Sequence, residues 1–433
     1  MNHALDTSLI SGPLWWVLLL AGPVALCWLA LRAGRGWWLR TVPIALALGL
    51  GVGLLVNVAV NDWWQPFPDP LPLSVPIWVG LTAAALLLAL RRPVGAARKT
   101  LAVLVVVAVA ASGSAQVNKS FAAFPTVRSA LGLPVPGQVD FAKIPGPERT
   151  PVVSGTGVTL SARWSPPTGM PAVGEVTSTS IPGAVSGFDA RDAWIYLPPA
   201  YLSTPRARLP VLVLLSGQPG TPRDFFTAGH VVGTMNAYAA AHHGLAPVVV
   251  EPDPLGSTFA NPLCVDSPLG HAFTYLSVDV PRWIRTHLQV DPDPAHWAVG
   301  GASFGGTCAL QLAVNAPSVY RTFLDFSGQV APTLGGRQRT LDAAFGGSAA
   351  AFRRVNPLDV MAHERFATSS GFIAVGRDDA VFRPECKRVA VAATAAGMTI
   401  RYVLLPGAHS WSVWAVALQR SVPFLGQRVG ITS

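Results

Sequence analysis

The chain has 433 residues, 51% of them hydrophobic and only 12% charged, with a mean hydropathy of +0.42. Soluble domains carry about 25% charged residues, so the composition excludes a disordered, collagenous or coiled-coil protein and leaves an unusually apolar globule or a globule with membrane spans attached. The net charge of +9 does not mark a nucleic-acid binder: residues 1–119 hold eight Lys/Arg against Asp6, Asp62 and Asp69, so over half of the excess lies in the most apolar quarter, gathered in short loops.

Taken in chain order, residues 14–31, 41–62 (uncharged to Asn61), 71–90 and 100–118 are four charge-free apolar stretches. Each approaches the roughly 20 residues a helix needs to cross ~30 Å of hydrocarbon, which predicts four transmembrane helices. The first is not a signal peptide, because no Lys or Arg precedes it and no small-residue cleavage site follows before Arg32. Arg32, Arg35 and Arg40 separate spans one and two, and Arg91, Arg92, Arg98 and Lys99 separate spans three and four; the loop between spans two and three carries only Asp62 and Asp69. The positive-inside rule puts both basic loops in the cytoplasm and everything after span four outside. Trp15–Trp16, Trp37–Trp38 and Trp63–Trp64 fall at span ends, where an aromatic belt belongs. No ionisable group lies within a span, so residues 1–118 read as an anchor, not a transport pathway. Residues 119–150, with Pro125, Pro134, Pro136, Pro145 and Pro147, read as a linker.

From 151 to 433 the pattern changes to short apolar runs separated by amphipathic stretches. Residues 158–164, 175–181 and 193–197 alternate as partly antiparallel strands; 209–215, 246–251, 297–302, 322–326, 372–375 and 401–405 suit strands buried on both faces. Helical segments such as 225–242 and 277–288 lie between them. Strand–helix alternation over this length predicts an α/β fold with a mostly parallel sheet.

Gly301-Ala302-Ser303-Phe304-Gly305, followed by Gly306, joins one of these strands to an apolar helix over 307–316. Strand, sharp turn and helix are the context of a nucleophile elbow, which makes Ser303 the candidate nucleophile. The serine needs a base, and the base an orienting acid. Only His363 and His409 follow it; His409 stands just past strand 401–405, whereas His363 lies in a charged helical context. Strand 372–375 ends in Gly376-Arg377-Asp378-Asp379, so Asp379 is the preferred acid and Asp378 the alternative. Two backbone N–H donors are needed for an oxyanion hole: Phe304, after the nucleophile, and Gln218 in Ser216-Gly217-Gln218-Pro219-Gly220, since Pro219 has no N–H.

Residues 214–220, the Gly301–Gly306 elbow and His409-Ser410-Trp411 together resemble the esterase family of α/β-hydrolases, which includes esterase D-type enzymes and the mycolyltransferases. The resemblance covers about residues 175–425 and implies an α/β-hydrolase fold in which Ser303, His409, Gln218 and Phe304 match nucleophile, base and oxyanion donors. Where the mycolyltransferases carry an acidic residue and an arginine for trehalose, this chain has Ser216 and Pro219, so trehalose specificity is not implied. The four spans are also foreign to those secreted enzymes.

Cys308 reads as a small buried hydrophobe, and Cys264 with Cys386 as a candidate disulfide in an oxidising compartment. His242-His243 lacks metal-site spacing, so no metal or cofactor is expected. Three function classes compete: a membrane-anchored serine esterase or acyltransferase acting on lipid or envelope esters, a non-catalytic binding module on a hydrolase scaffold, and a peptidase or thioesterase. The full Ser/His/Asp set favours the first.

Overall fold

The computed structural model describes residues 4–32, 34–65, 69–91, 96–147 and 158–433. Arg92 of the second basic loop and Pro151, the expected start of the hydrolase domain, lie outside them. The chain divides into two compact units, Met1–Leu133 and Pro134–Ser433.

In the first unit the apolar stretches form helices α1 (Gly12–Ala30), α2 (Trp37–Trp64, π-wound at both ends), α3 (Ser74–Leu90) and α4 (Ala96–Phe121). Three of them, with 19 residues in α1, 28 in α2 and 23 in the Lys99–Phe121 part of α4, are long and apolar enough to cross a membrane. The expected third span is the exception: α3 has 17 residues, about 25 Å at 1.5 Å per residue. Ahead of it, Asn61 Oδ1 accepts the Leu71 N–H at 2.9 Å and ties the approaching chain back to α2. Helix contacts use small residues. Gly49 and Gly53 of α2 meet Gly80 and Pro76 of α3, and the Ser112 hydroxyl of α4 donates to the Leu19 carbonyl of α1 at 3.1 Å.

Within 119–147 the chain makes contacts with both units in turn. Thr126 caps a single turn, Val127–Ala130, in the first unit. Beyond Leu133 the chain joins the second unit, where the Val139 N–H donates to the Val176 carbonyl at 2.8 Å.

The second unit is built on one eight-stranded sheet: β1 (Glu175–Thr179), β2 (Ala193–Leu197), β3 (Val211–Leu215), β4 (Val248–Glu251), β5 (Trp297–Ala302), β6 (Thr322–Phe326), β7 (Ser370–Gly376) and β8 (Thr399–Leu405). The order is β1-β2-β4-β3-β5-β6-β7-β8. β2 pairs antiparallel with β1 and β4, and every other pairing is parallel. β3 through β7 are buried on both faces, which is why they read as continuous apolar runs. Helices α5 (Phe304–Asn315), α6 (Phe382–Ala395) and α7 (Trp411–Arg428) follow β5, β7 and β8.

Three expectations need correction. Residues 158–164 do not form a strand: Leu160–Ala162 is a 3-10 turn whose Leu160 and Ser161 N–H groups donate to Gly430 and Ile431, and of the alternating apolar residues only Trp164 is buried. The helix over 225–242 is two helices, Asp224–Thr227 and Val231–Ala241, interrupted where His230 adopts φ +52°. The disulfide joins Cys264 to Cys308, with Cα atoms 5.4 Å apart, and not to Cys386. Cys386 sits on α6, buried and free, its thiol donating to the Gly328 carbonyl at 3.3 Å.

The bridge closes a 44-residue separation, for which chain entropy alone stabilises by roughly 4 kcal/mol. Cys264→Ala with Cys308→Ala should therefore lower the thermal midpoint by several degrees, whereas reductant should have no further effect on that variant. A midpoint unchanged from the parent would mean that the crosslink does not form.

Candidate active site

Ser303 stands between β5 and α5 with φ +54° and ψ −114°, outside the regions an L-residue ordinarily occupies. Such a turn fits only if its neighbours lack side chains. A Cβ at Gly305 would overlap the Leu215 carbonyl of β3, and one at Gly301 would lie 2.6 Å from the same oxygen. The G-x-S-x-G spacing is thus a packing requirement of the elbow against β3. The Ser303 N–H donates to the Phe326 carbonyl of β6 at 2.8 Å, which fixes the elbow from the other side.

The loops after β7 and β8 bring the other two groups. His409 Nε2 lies 2.9 Å from Ser303 Oγ, and His409 Nδ1 lies 2.8 Å from Asp379 Oδ2. Asp379 is 3% exposed, and its other oxygen accepts the Phe382 N–H at 3.0 Å. That bond leaves Oδ2 for the imidazole. The ring of His409 is held between Phe382, stacked at 3.9 Å, and Trp414, edge-on at 4.9 Å. Trp411 and Trp414 are themselves buried. Asp378 is exposed, as is His363, and neither joins this chain of hydrogen bonds.

The loop after β3 abuts the elbow: a Cβ on Gly217 would lie 3.6 Å from the Ser303 Cβ. Phe304 is the first residue of α5, so its N–H has no partner within the helix. Among the described residues the backbone N–H of Gln218 also donates to no protein acceptor. Two unengaged N–H groups on either side of Ser303, one at a helix N-terminus, suit a developing oxyanion. Beneath the elbow, burial pushes the Asp325 carboxyl up to about 7, and its Oδ1 accepts the Gly328 N–H at 2.7 Å. Asp325 is therefore only about half ionised at neutral pH.

Residues 189–425 match the model of the family described as "Putative esterase". The chain belongs to this esterase family. Its enzymatic class follows: a serine ester hydrolase or acyltransferase. The esterase is 37% identical over 381 residues to an uncharacterized protein of Corynebacterium glutamicum, with 86% of each chain covered. Among solved structures it is similar to a ferulic acid esterase, at 19% identity and a TM-score of 0.50 over 60% of this chain and 99% of that one. It is equally similar to an S-formylglutathione hydrolase from Agrobacterium tumefaciens, with the same identity and score over 61% and 99%. Those likenesses establish the α/β-hydrolase fold.

The sequence reading of the esterase missed three contributors. Phe382, which stacks on His409, looked like any helix-start apolar residue. Cys308 looked like a small hydrophobe because its partner is 44 residues away and no spacing announces it. Arg191 and Asp253 lie before β2 and after β4, and only the antiparallel pairing of those strands brings them together.

Proposed function

We propose that this esterase is a membrane-anchored extracytoplasmic enzyme that uses Ser303, His409 and Asp379 on ester bonds of membrane or envelope lipids. The observation that carries the catalytic part is the hydrogen-bonded chain from Ser303 Oγ through His409 to Asp379. In this reading His409 Nε2 takes the hydroxyl proton as Ser303 Oγ attacks the ester carbonyl. Asp379 holds Nδ1 protonated, so the receiving nitrogen is Nε2, and stabilises the imidazolium. The tetrahedral oxyanion rests on the N–H groups of Gln218 and Phe304. His409 then returns the proton to the departing alcohol, leaving an acyl-serine. Water or a second alcohol attacks that acyl group, His409 again accepting the proton; the bond between Ser303 Oγ and the acyl carbon then breaks, Oγ takes the proton back from His409, and the acid or new ester leaves.

Lipid substrates are supported by the apolar helices α1, α2 and α4 and by the charge asymmetry of their loops, which favours an outward-facing second unit. Anchoring concentrates the enzyme where lipid esters are and gains nothing for a soluble metabolite. Ser216 is fully buried and uncharged, and Pro219 lacks a polar side chain, so a general lipid esterase is favoured over a trehalose mycolyltransferase.

The test compares the full chain with residues 134–433 on a short soluble ester and on esters carried in lipid vesicles. The two proteins should turn over the soluble ester equally, and the full chain, reconstituted in the vesicles, should be at least tenfold faster on the lipid. Equal rates on vesicle-borne esters, or fast soluble turnover with none on lipid, would sink the lipid assignment.

A further inference from the structure

Outside the hydrogen-bonded chain of the site, the most heavily engaged polar group near it is Arg191. Its Nε and Nη2 each donate to a carboxylate oxygen of Asp253 at 2.7 Å, and its backbone N–H donates to Asp253 Oδ2 at 3.0 Å. Asp253 is fully buried. The other edge of the guanidinium faces the loop after β3: Nη1 and Nη2 both reach the Gly220 carbonyl at 3.2 Å, and Nη1 reaches Thr258 Oγ1 at 3.3 Å. All three guanidinium nitrogens are thereby used.

The segment from Asp253 to Cys264 grips the same loop. The Gly220 N–H donates to the Thr258 carbonyl at 3.0 Å, and Gln218 Nε2 donates to the Phe259 carbonyl at 3.0 Å. At its far end the segment is fixed to α5 by the Cys264–Cys308 bridge and by Gln311 Nε2 donating to the Leu263 carbonyl at 3.0 Å. One brace thus runs from Arg191 to the helix that carries the nucleophile. It connects the loop bearing the Gln218 N–H to the helix that begins with the Phe304 N–H.

We infer that Arg191 is a positioning residue for the oxyanion donors: through the Gly220 carbonyl it holds the 217–220 loop, and so the Gln218 N–H, at its working distance from Ser303. The inference rests on the esterase mechanism proposed above. A guanidinium suits the task because its planar fork holds a carboxylate with one edge and still presents donors on the other, which an ammonium cannot do. A misplacement of ~1 Å at such a site costs about 10²-fold in rate.

The test uses the full chain in detergent with p-nitrophenyl butyrate, counting active sites by fluorophosphonate titration so that any unfolded fraction drops out. Arg191→Lys keeps a cation opposite Asp253 and loses the fork to Gly220. The double replacement Arg191→Met with Asp253→Leu removes fork and charge together, leaving no orphaned carboxylate. Both should lower kcat per titrated site by about 10- to 100-fold with KM within about threefold. Affinity for a trifluoromethyl ketone, whose tetrahedral adduct needs the same N–H donors, should fall by a similar factor. A purely structural residue would lower yield and thermal midpoint but leave kcat and ketone affinity per titrated site at the parent's values. That result, an effect on KM alone, or the absence of any titratable site in both variants would overturn the inference. If the parent itself takes no fluorophosphonate, the esterase mechanism fails first, and the cause is then plain.

Discussion

Ser303→Ala should abolish ester turnover and fluorophosphonate labelling, with kcat reduced on the order of 10⁶-fold, while the fold survives. The hydroxyl is the only atom lost, and what holds the elbow remains: the Ser303 N–H bonded to Phe326 and the glycines packed on β3. His409→Ala should lose a comparable factor, because no other described base lies within reach of Ser303 Oγ. It should also cost some stability, since the imidazole fills the space between Phe382 and Trp414. His363→Ala should behave as the parent, its side chain being exposed and outside the site. The measurements are single-site kinetics on a soluble ester and gel detection of the label, with thermal midpoints as the control for folding. Turnover that survives in Ser303→Ala, or an essential His363 beside a dispensable His409, would break the assignment.

What the sequence revealed and what it hid follow from how far apart the interacting groups are along the chain. β5 and β6 are found within the bounds their apolar runs suggest, because strands buried on both faces must be apolar throughout. Ser303 was legible because the elbow's demands are local: a strained turn needs small flanking residues within two positions. His409 and Asp379 were legible through fold order, each sitting past the end of a buried strand. The disulfide was not, since pairing depends on where two distant segments are laid down. The alternation over 158–164 misled because one buried tryptophan can produce the same pattern as a strand edge. The third apolar stretch gives a shorter helix than its hydropathy suggests: residues 71–73 lie before α3, where the Leu71 N–H donates to Asn61 Oδ1.

The two adjacent carboxylates are placed differently, Asp379 buried against His409 and Asp378 exposed, and this difference yields the second large effect. Asp379→Asn should lower kcat by roughly 10⁴-fold. The replacement is nearly isosteric, so the Phe382 N–H can keep its acceptor and the stacked His409 its place. What changes is the group facing Nδ1. A carboxylate oxygen at 2.8 Å accepts only, which requires the proton on Nδ1 and leaves Nε2 free to take the one from Ser303. With the one amide oxygen accepting from Phe382, the –NH₂ points at His409, stabilises the tautomer protonated on Nε2, and leaves no lone pair there to accept a proton. Asp378 contributes no such constraint: its backbone N–H is bound to Gly407, its side chain is exposed, and Asp378→Asn should stay within about twofold of the parent. Steady-state kinetics of the two variants on one soluble ester decide the matter. A crippled Asp378→Asn beside a near-normal Asp379→Asn would move the acid by one residue, and would require the loop after β7 to turn its exposed carboxylate inward during catalysis.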